Sequence, residues 1–214
     1  LALIRTRAVA VPLTRAVDLY KDELNQIAPA EYEVVFSGDG HEVRGRGAAD
    51  PAHPLLASLR ELGEPGLVLF SSGSTGRAKA ALHSFERILE KFKRPRDPFV
   101  ALAFLMFDHI GGINTVLHIL ANGGTVVVSE RRDPDSVCEA IARNRVELLP
   151  ATPTFLNLLL ASEAHRRHDL SSLERVTYGT EPMPAVTLEG LNRALPGIEF
   201  QQTYGLSELG ILRT

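Results

Sequence analysis

Leu67-Val68-Leu69-Phe70-Ser71-Ser72-Gly73-Ser74-Thr75-Gly76-Arg77-Ala78-Lys79-Ala80 is an apolar run of strand type that breaks into small hydroxyl residues and glycines and is closed by a single lysine. Gly73 and Gly76 can take positive φ and bring backbone N–H groups close to an anion. Ser71, Ser72, Ser74 and Thr75 add hydroxyl donors, and Lys79 adds a mobile positive charge. Two readings follow: a cradle for phosphate, or an ordinary Gly/Ser/Thr loop between periodic segments. The spacing excludes two better-known alternatives. A P-loop needs Gly-Lys-Ser/Thr four residues after its first glycine, whereas Lys79 follows Gly76 by three. The Gly-x-Ser-x-Gly elbow of hydrolases is also absent.

Outward from this stretch, short apolar runs alternate with amphipathic ones. Strands are expected at residues 8–12, 32–36, 67–71, 79–83, 99–104, 125–129, 146–149, 175–178 and 199–202. Helices are expected at 15–27, 54–62, 84–92, 113–120, 133–143, 152–164 and 184–194, with Gly63 ending one of them and Asp133-Pro134 starting another. The polar stretch 41–50 is a loop or an edge hairpin, and 203–208 is a loop. This alternation predicts an α/β fold with a mostly parallel sheet flanked by helices. In such sheets ligands sit at the carboxyl ends of strands. Three polar segments directly follow strands: 71–79, 179–182 and 203–208.

Composition narrows the partners. The 214 residues, 44% hydrophobic, can bury a substantial core, and the net charge of −3 is dispersed in both signs. This balance argues against an electrostatic nucleic-acid binder or an anionic-membrane binder and for a small molecule or protein. A single cysteine, Cys138, excludes an intramolecular disulfide and a Cys-built metal site, and fits the cytoplasm. Its apolar helical surroundings make it a buried structural thiol rather than a nucleophile. No apolar run approaches the ~20 residues of a membrane span. His118, in an apolar helix, reads as a core or interface histidine. His165 and His168 share a helix face but are flanked by Arg166 and Arg167, so a solvated helix end is expected rather than a metal site.

The run from Phe70 to Lys79 resembles the phosphate-binding signature of the adenylate-forming (AMP-binding) superfamily, which includes acyl- and aryl-CoA synthetases, adenylation domains of nonribosomal peptide synthetases, and luciferases. Tyr204-Gly205-Leu206-Ser207-Glu208 resembles that family's second hallmark, Tyr-Gly-x-Thr/Ser-Glu. The two motifs stand in the family's order, roughly 130 residues apart.

The resemblance implies ATP-dependent activation of a carboxylic acid to an acyl-adenylate, with pyrophosphate released and the acyl group passed to a thiol. The thiol would be CoA or, in the adenylation-domain version, the phosphopantetheine of an acyl carrier protein. By the same resemblance, Ser71 to Lys79 would hold the β and γ phosphates, Ser207 would reach the α-phosphate, and Glu208 would bind Mg²⁺. Tyr204 would stack on adenine. Gly179, Thr180, Glu181 and Pro182 would form the adenine-side wall, with Thr203 and Gly205 beside the nucleotide.

Phe107-Asp108-His109-Ile110-Gly111-Gly112 falls where the family places its acid-binding segment. His109 followed by glycines resembles the CoA-ligase version, and Phe107-Asp108 resembles the amino-acid-activating version, in which an Asp holds the substrate ammonium. Gly111 and Gly112, read as leaving room for an acyl group, favour the first.

Two departures accompany the resemblance. Ala78 and Ala80 stand where the family has proline and glycine, and neither change removes a donor. The family's ribose-binding aspartate, hinge and small C-terminal domain with the adenylation lysine follow the second hallmark, and only six residues follow Glu208 here. The chain is therefore expected to be part of one large N-terminal domain, inactive or nearly so alone. Two rivals stand beside this reading. One is a non-catalytic module for nucleotide sensing or protein contact, and the other is an unrelated nucleotide-binding enzyme with a generic phosphate cradle.

Overall fold

The structure is a computed structural model describing residues 1–47, 53–72, 77–207 and 210–211. It divides into two compact units, Leu1–Glu90 and Lys91–Thr214.

In the first unit, helix α1 (Ala2–Arg5) precedes a two-residue strand β1 (Val9–Ala10). The expected helix 15–27 splits into a 3₁₀ segment, Arg15–Tyr20, and α2 (Lys21–Ile27). The split changes the residue period and breaks the expected apolar face. Leu24 is buried in α2, while Tyr20 and Ile27 are exposed. Strands β2 (Tyr32–Ser37) and β3 (Gly40–Gly45) form an antiparallel hairpin across the Asp39 turn, the hairpin alternative for the polar stretch. Helix α3 (Pro54–Glu61) has proline at its start and Gly63 at φ +65° just past its end, where a residue with Cβ would be strained.

Strand β4 (Gly66–Ser72) pairs parallel with β1 and antiparallel with β5 (Ala78–Ser84), which leads into α4 (Phe85–Glu90). The expected parallel arrangement therefore does not hold at this point. β4 and β5 form a hairpin, because the few residues between them are too short for the crossover that parallel neighbours require.

The second unit carries a five-stranded sheet that is parallel throughout. Its strands are β6 (Val100–Leu102), β7 (Thr125–Val127), β8 (Leu148–Ala151), β9 (Arg175–Tyr178) and β10 (Glu199–Gln202), in spatial order β10-β9-β8-β6-β7. The helices between them are α5 (Ile110–Ala121), α6 (Pro134–Asn144), α7 (Pro153–Ser162) and α8 (Ala185–Ala194). Two helix starts match the sequence. Asp133 Oδ1 accepts from Ser136 N at 3.0 Å, and Thr152 Oγ1 accepts from Phe155 N at 3.2 Å.

The strand order fixes where the helices lie. β6 to β7 runs one way along the sheet, and every later crossover runs the other way. Right-handed crossovers thus put α5 on one face and α6, α7 and α8 on the opposite face. The three-helix face holds the main core: Leu102, Val127, Leu149, Val176 and Tyr178 from strands pack with Val137, Ile141, Leu156, Leu159 and Leu191 from helices. On the other face, Ile119 of α5 packs on Ala101 and Leu148.

The expected loop 203–208 contains β11 (Gly205–Leu206), which pairs antiparallel with β12 (Gly210–Ile211), and this small hairpin packs on α5. Among the described residues no helix is long and apolar enough to cross a membrane.

Candidate active site

In the first unit, the β4–β5 register sets Ser71 directly opposite Lys79 and Ser72 opposite Ala78. Directly opposed residues project to the same face of a hairpin, so Ser71 and the exposed Lys79 share one side. Gly73, Ser74, Thr75 and Gly76, which complete the expected cradle, lie outside the described residues.

In the second unit, the direction in which strands are added along the sheet reverses between β6 and β8, the kind of switch point that opens a crevice at strand carboxyl ends. A cleft of about 670 Å³ occupies this position. It brings together His109 and Gly111 after β6, Gly179, Thr180 and Glu181 after β9, and Thr203, Gly205 and Ser207 after β10. Phe107, Asp108, Gly112, Pro182 and Tyr204 are not in its lining, and Glu208 lies outside the described residues.

The cleft then continues along the α5-bearing face of the sheet, past Leu148, Pro150, Arg175, Thr177 and Gln201, to Phe92, Phe99 and His118.

Two close approaches build the mouth. A Cβ on Gly179 would stand 2.5 Å from the carbonyl oxygen of Thr203, so only glycine lets the two strand ends touch. Thr203 fixes the contact by donating its backbone N–H and its hydroxyl to Tyr178 O at 2.7 and 3.2 Å. A Cβ on Gly112 would stand 2.1 Å from Met106 O. Gly112 therefore serves packing of the segment after β6, whereas Gly111 faces the cleft.

The neighbouring Asp108 and His109 part company in the same segment. Asp108 is buried, and His109 is exposed with its Nε2 3.7 Å from Asp108 Oδ1.

Thr180 has φ +71°, a left-handed conformation that costs a β-branched residue about 1–3 kcal/mol. Glu181 follows it and reaches over to α7, where its carboxylate accepts from Thr154 N at 3.0 Å and from the Thr154 hydroxyl. Tyr204, 56% exposed, is free of the core packing that a buried tyrosine would have.

The sequence reading missed several lining residues. Asn114, Thr115 and His118 lie on one face of α5 at i, i+3 and i, i+4 spacings from Gly111 and one another, and all line the cleft. Arg132 lies over the Phe104 ring at 4.5 Å and donates to Phe104 O. Burial lowers its pKa from the ordinary value, and the Asp108 carboxylate works against that shift. His118 is pushed down by burial and then by the nearby Arg96 and Lys91 charges, which favours its neutral form. A signal for these residues existed. Polar Arg175 and Thr177 alternate with Val176 and Tyr178, and Gln201 follows Phe200, in strands of a parallel sheet, where both faces are usually covered.

The remaining candidates are structural. Cys138 is fully buried, and burial pushes its thiol up to about 12. His165 sits in a 3₁₀ turn, Ala164–Arg166, rather than on a helix face shared with His168. His168 Nε2 lies 3.1 Å from Asp135 Oδ1, which also accepts from Arg167. Among the described residues no His, Cys, Asp and Glu side chains gather in a group able to hold a metal ion.

The sequence profile of the family described as AMP-binding enzyme matches residues 6–214. A 4-coumarate–CoA ligase-like protein of rice (Oryza sativa subsp. japonica) is 35% identical over 182 residues, covering 77% of this chain and 33% of that protein. The 4-chlorobenzoate–CoA ligase of Pseudomonas sp. is 34% identical over 154 residues, covering 68% and 29%. Among solved structures, an amide bond synthetase from Marinactinospora thermotolerans aligns with TM-score 0.63 and 27% identity over 95% of this chain and 41% of that one. The chain spans about a third of the length of the curated relatives it matches. With the profile covering nearly all of its residues, the chain belongs to the AMP-binding enzyme family.

Proposed function

We propose that this chain is the N-terminal part of a ligase that activates a carboxylic acid with ATP and transfers the acyl group to the thiol of CoA. A carboxylate oxygen attacks the α-phosphorus, the bond to the bridging oxygen breaks, and pyrophosphate leaves. The thiolate then attacks the acyl carbon and AMP departs, the thiol proton passing to solvent. The observation that carries this reading is the shared cleft. The acid segment, His109 and Gly111, and the nucleotide segments, Gly179 to Glu181 with Thr203, Gly205 and Ser207, line one crevice. Acid and α-phosphate must meet in one place for the first step, and holding them together supplies much of its acceleration.

Within this reading Ser207 donates to the α-phosphate, Thr203 and Gly179 shape the nucleotide side, and Tyr204 supplies an aromatic face for adenine. By the resemblance of its sequence motif, the segment Ser71 to Lys79 would hold the departing pyrophosphate. Magnesium, with Glu208 as its protein ligand, would neutralise charge on the phosphoryl oxygens. The placement of His109 on the cleft and of Asp108 in the interior favours the CoA-ligase version over the ammonium-holding one. CoA-ligase relatives support the same acceptor.

The test is the nucleotide product. Full-length protein given ATP, magnesium, CoA and a panel of aliphatic, aryl and amino acids should release AMP and pyrophosphate only when an acid is added. ADP and phosphate, or AMP independent of acid, would refute the reading. Glu208→Gln should weaken Mg·ATP binding clearly, and unchanged affinity would favour a generic phosphate cradle.

A further inference from the structure

Strands β2 and β3 form a two-stranded sheet that no other strand joins among the described residues. One of its faces is apolar. Tyr32, Val34 and Phe36 alternate along β2, Val43 lies opposite Val34, and His41 lies opposite Phe36 with ring centroids 6.1 Å apart. Those four apolar side chains are between 43% and 73% exposed, so the described residues leave the face largely uncovered. Every residue of β3 is exposed as well.

The outer edge of β3 has a defined pattern. Arg46 N donates to Glu31 O at 2.8 Å, and in an antiparallel pair the bonded positions recur at every second residue. Arg44 and Glu42 therefore direct their backbone groups towards β2, whereas Gly45, Val43 and His41 direct theirs outwards. Charged side chains commonly protect such an edge, because a second copy then meets like charge. Here that protection fails in one register. Glu42 and Arg44, which pair with each other at 2.7 Å, carry opposite charges and flank Val43 symmetrically.

A second, antiparallel β3 laid along this edge with a two-fold axis through Val43 satisfies every outward group. Val43 exchanges both backbone bonds with Val43 of the second copy, and His41 pairs with Gly45 of the second copy. Between them, Glu42 stands opposite Arg44 of the second copy at the closely spaced positions, where opposite charges attract. Centring the pairing on Glu42 or on Arg44 would instead set a charge against itself.

We propose that this edge is a self-association site, at which two copies of the protein join through β3 in the register centred on Val43. The product is a four-stranded antiparallel sheet in the order β2-β3-β3-β2, with a two-fold, isologous interface. Val34 and Val43 of both copies then form one unbroken row across the four strands, on the apolar face. A seam of two strands is smaller than the ~1,600 Å² of a standard interface, so the dimer dissociates on dilution.

The test is sedimentation of the full-length protein from about 1 µM to a few hundred µM. Wild type should pass from monomer to dimer over that range. Glu42→Arg and Arg44→Glu each set like charges opposite one another twice per dimer, and each should weaken association by about tenfold or more. The double variant Glu42→Arg/Arg44→Glu restores both opposite pairs and should return to within about threefold of wild type. An equimolar mixture of the two single variants should form a heterodimer, because each supplies the charge that the other lacks. That rescue separates pairing between copies from the pair within one strand, which both single variants have lost. Both residues are exposed, so thermal unfolding of the monomers should hardly change.

Monomer at every concentration would overturn the proposal, and is the outcome expected if another segment of the longer protein or a different partner occupies the edge. A dimer that both single variants form as well as wild type, or a mixture that yields no heterodimer, would overturn it too.

Discussion

The carboxylate of Glu181 accepts a hydrogen bond from the backbone N–H of Thr154 at 3.0 Å, tying the segment after β9 to the first turn of α7. Thr152 already takes the next free donor, Phe155 N, so the two side chains divide the unsatisfied N–H groups of that helix end. A negative charge is also favoured there by the helix dipole. Glu181→Ala should lower stability by about 1 kcal/mol in urea unfolding, and Glu181→Gln, which keeps an acceptor, by less. Equal stability of all three proteins would show that the contact contributes nothing.

Thr180, at φ +71°, holds backbone strain at the same edge of the cleft. Thr180→Gly should raise the unfolding free energy by about 1 kcal/mol by relieving it, offset in part by the extra freedom of glycine in the unfolded chain. A destabilised variant would mean that the hydroxyl, which donates to Gly179 O, outweighs the strain.

The parallel sheet and part of the cleft lining were legible in the sequence, and the misses have physical causes. The five parallel strands of the second unit were each foreseen to within a few residues, because apolar runs between capped helices leave little choice of type. Glu199–Gln202 matched in both bounds. The hairpin of β11 and β12 was not foreseen. Its strands are two residues each, too short for alternation to register, and they are held by packing on α5. The segment after β6 could not be assigned by sequence, since exchanging Asp108 for His109 as the cleft residue is a one-position shift that only the folded backbone decides. His118 read as a core histidine because its helix is apolar. The cleft along that helix exists because the later crossovers all place their helices on the other face, a property of strand order rather than of local pattern.

Glu33 pairs with Lys21 and with Arg46, whose Nε donates to it at 3.0 Å. Hydrogen bonds from Lys21 first and Arg46 second bring its pKa down to about 2. A carboxylate depressed on folding contributes stability in full above its unfolded value, near ~4.3, and loses it as pH falls through the folded one. Unfolding measured between about pH 5 and pH 2 should show stability falling with acid, and Glu33→Gln should flatten part of that slope. An identical slope in the variant would remove Glu33 from the account.

Cys138 lies fully within the main core of the second unit, with its thiol pushed up to about 12. It should react with an alkylating reagent only as the protein unfolds, at a rate that follows denaturant. Cys138→Ser, which buries a hydroxyl, should cost about 1–3 kcal/mol, and Cys138→Ala less. Rapid modification of the native protein would contradict the buried assignment.

Under the proposed function, an acyl-adenylate forms before any thiol acts. The most direct test is the exchange of labelled pyrophosphate into ATP by the full-length protein, with magnesium and a carboxylic acid but without CoA. The account predicts exchange that requires the acid and falls by at least about tenfold in Lys79→Ala, which loses a charged partner for the departing pyrophosphate. Exchange that appears only when CoA is added, or that proceeds equally without acid, would contradict it.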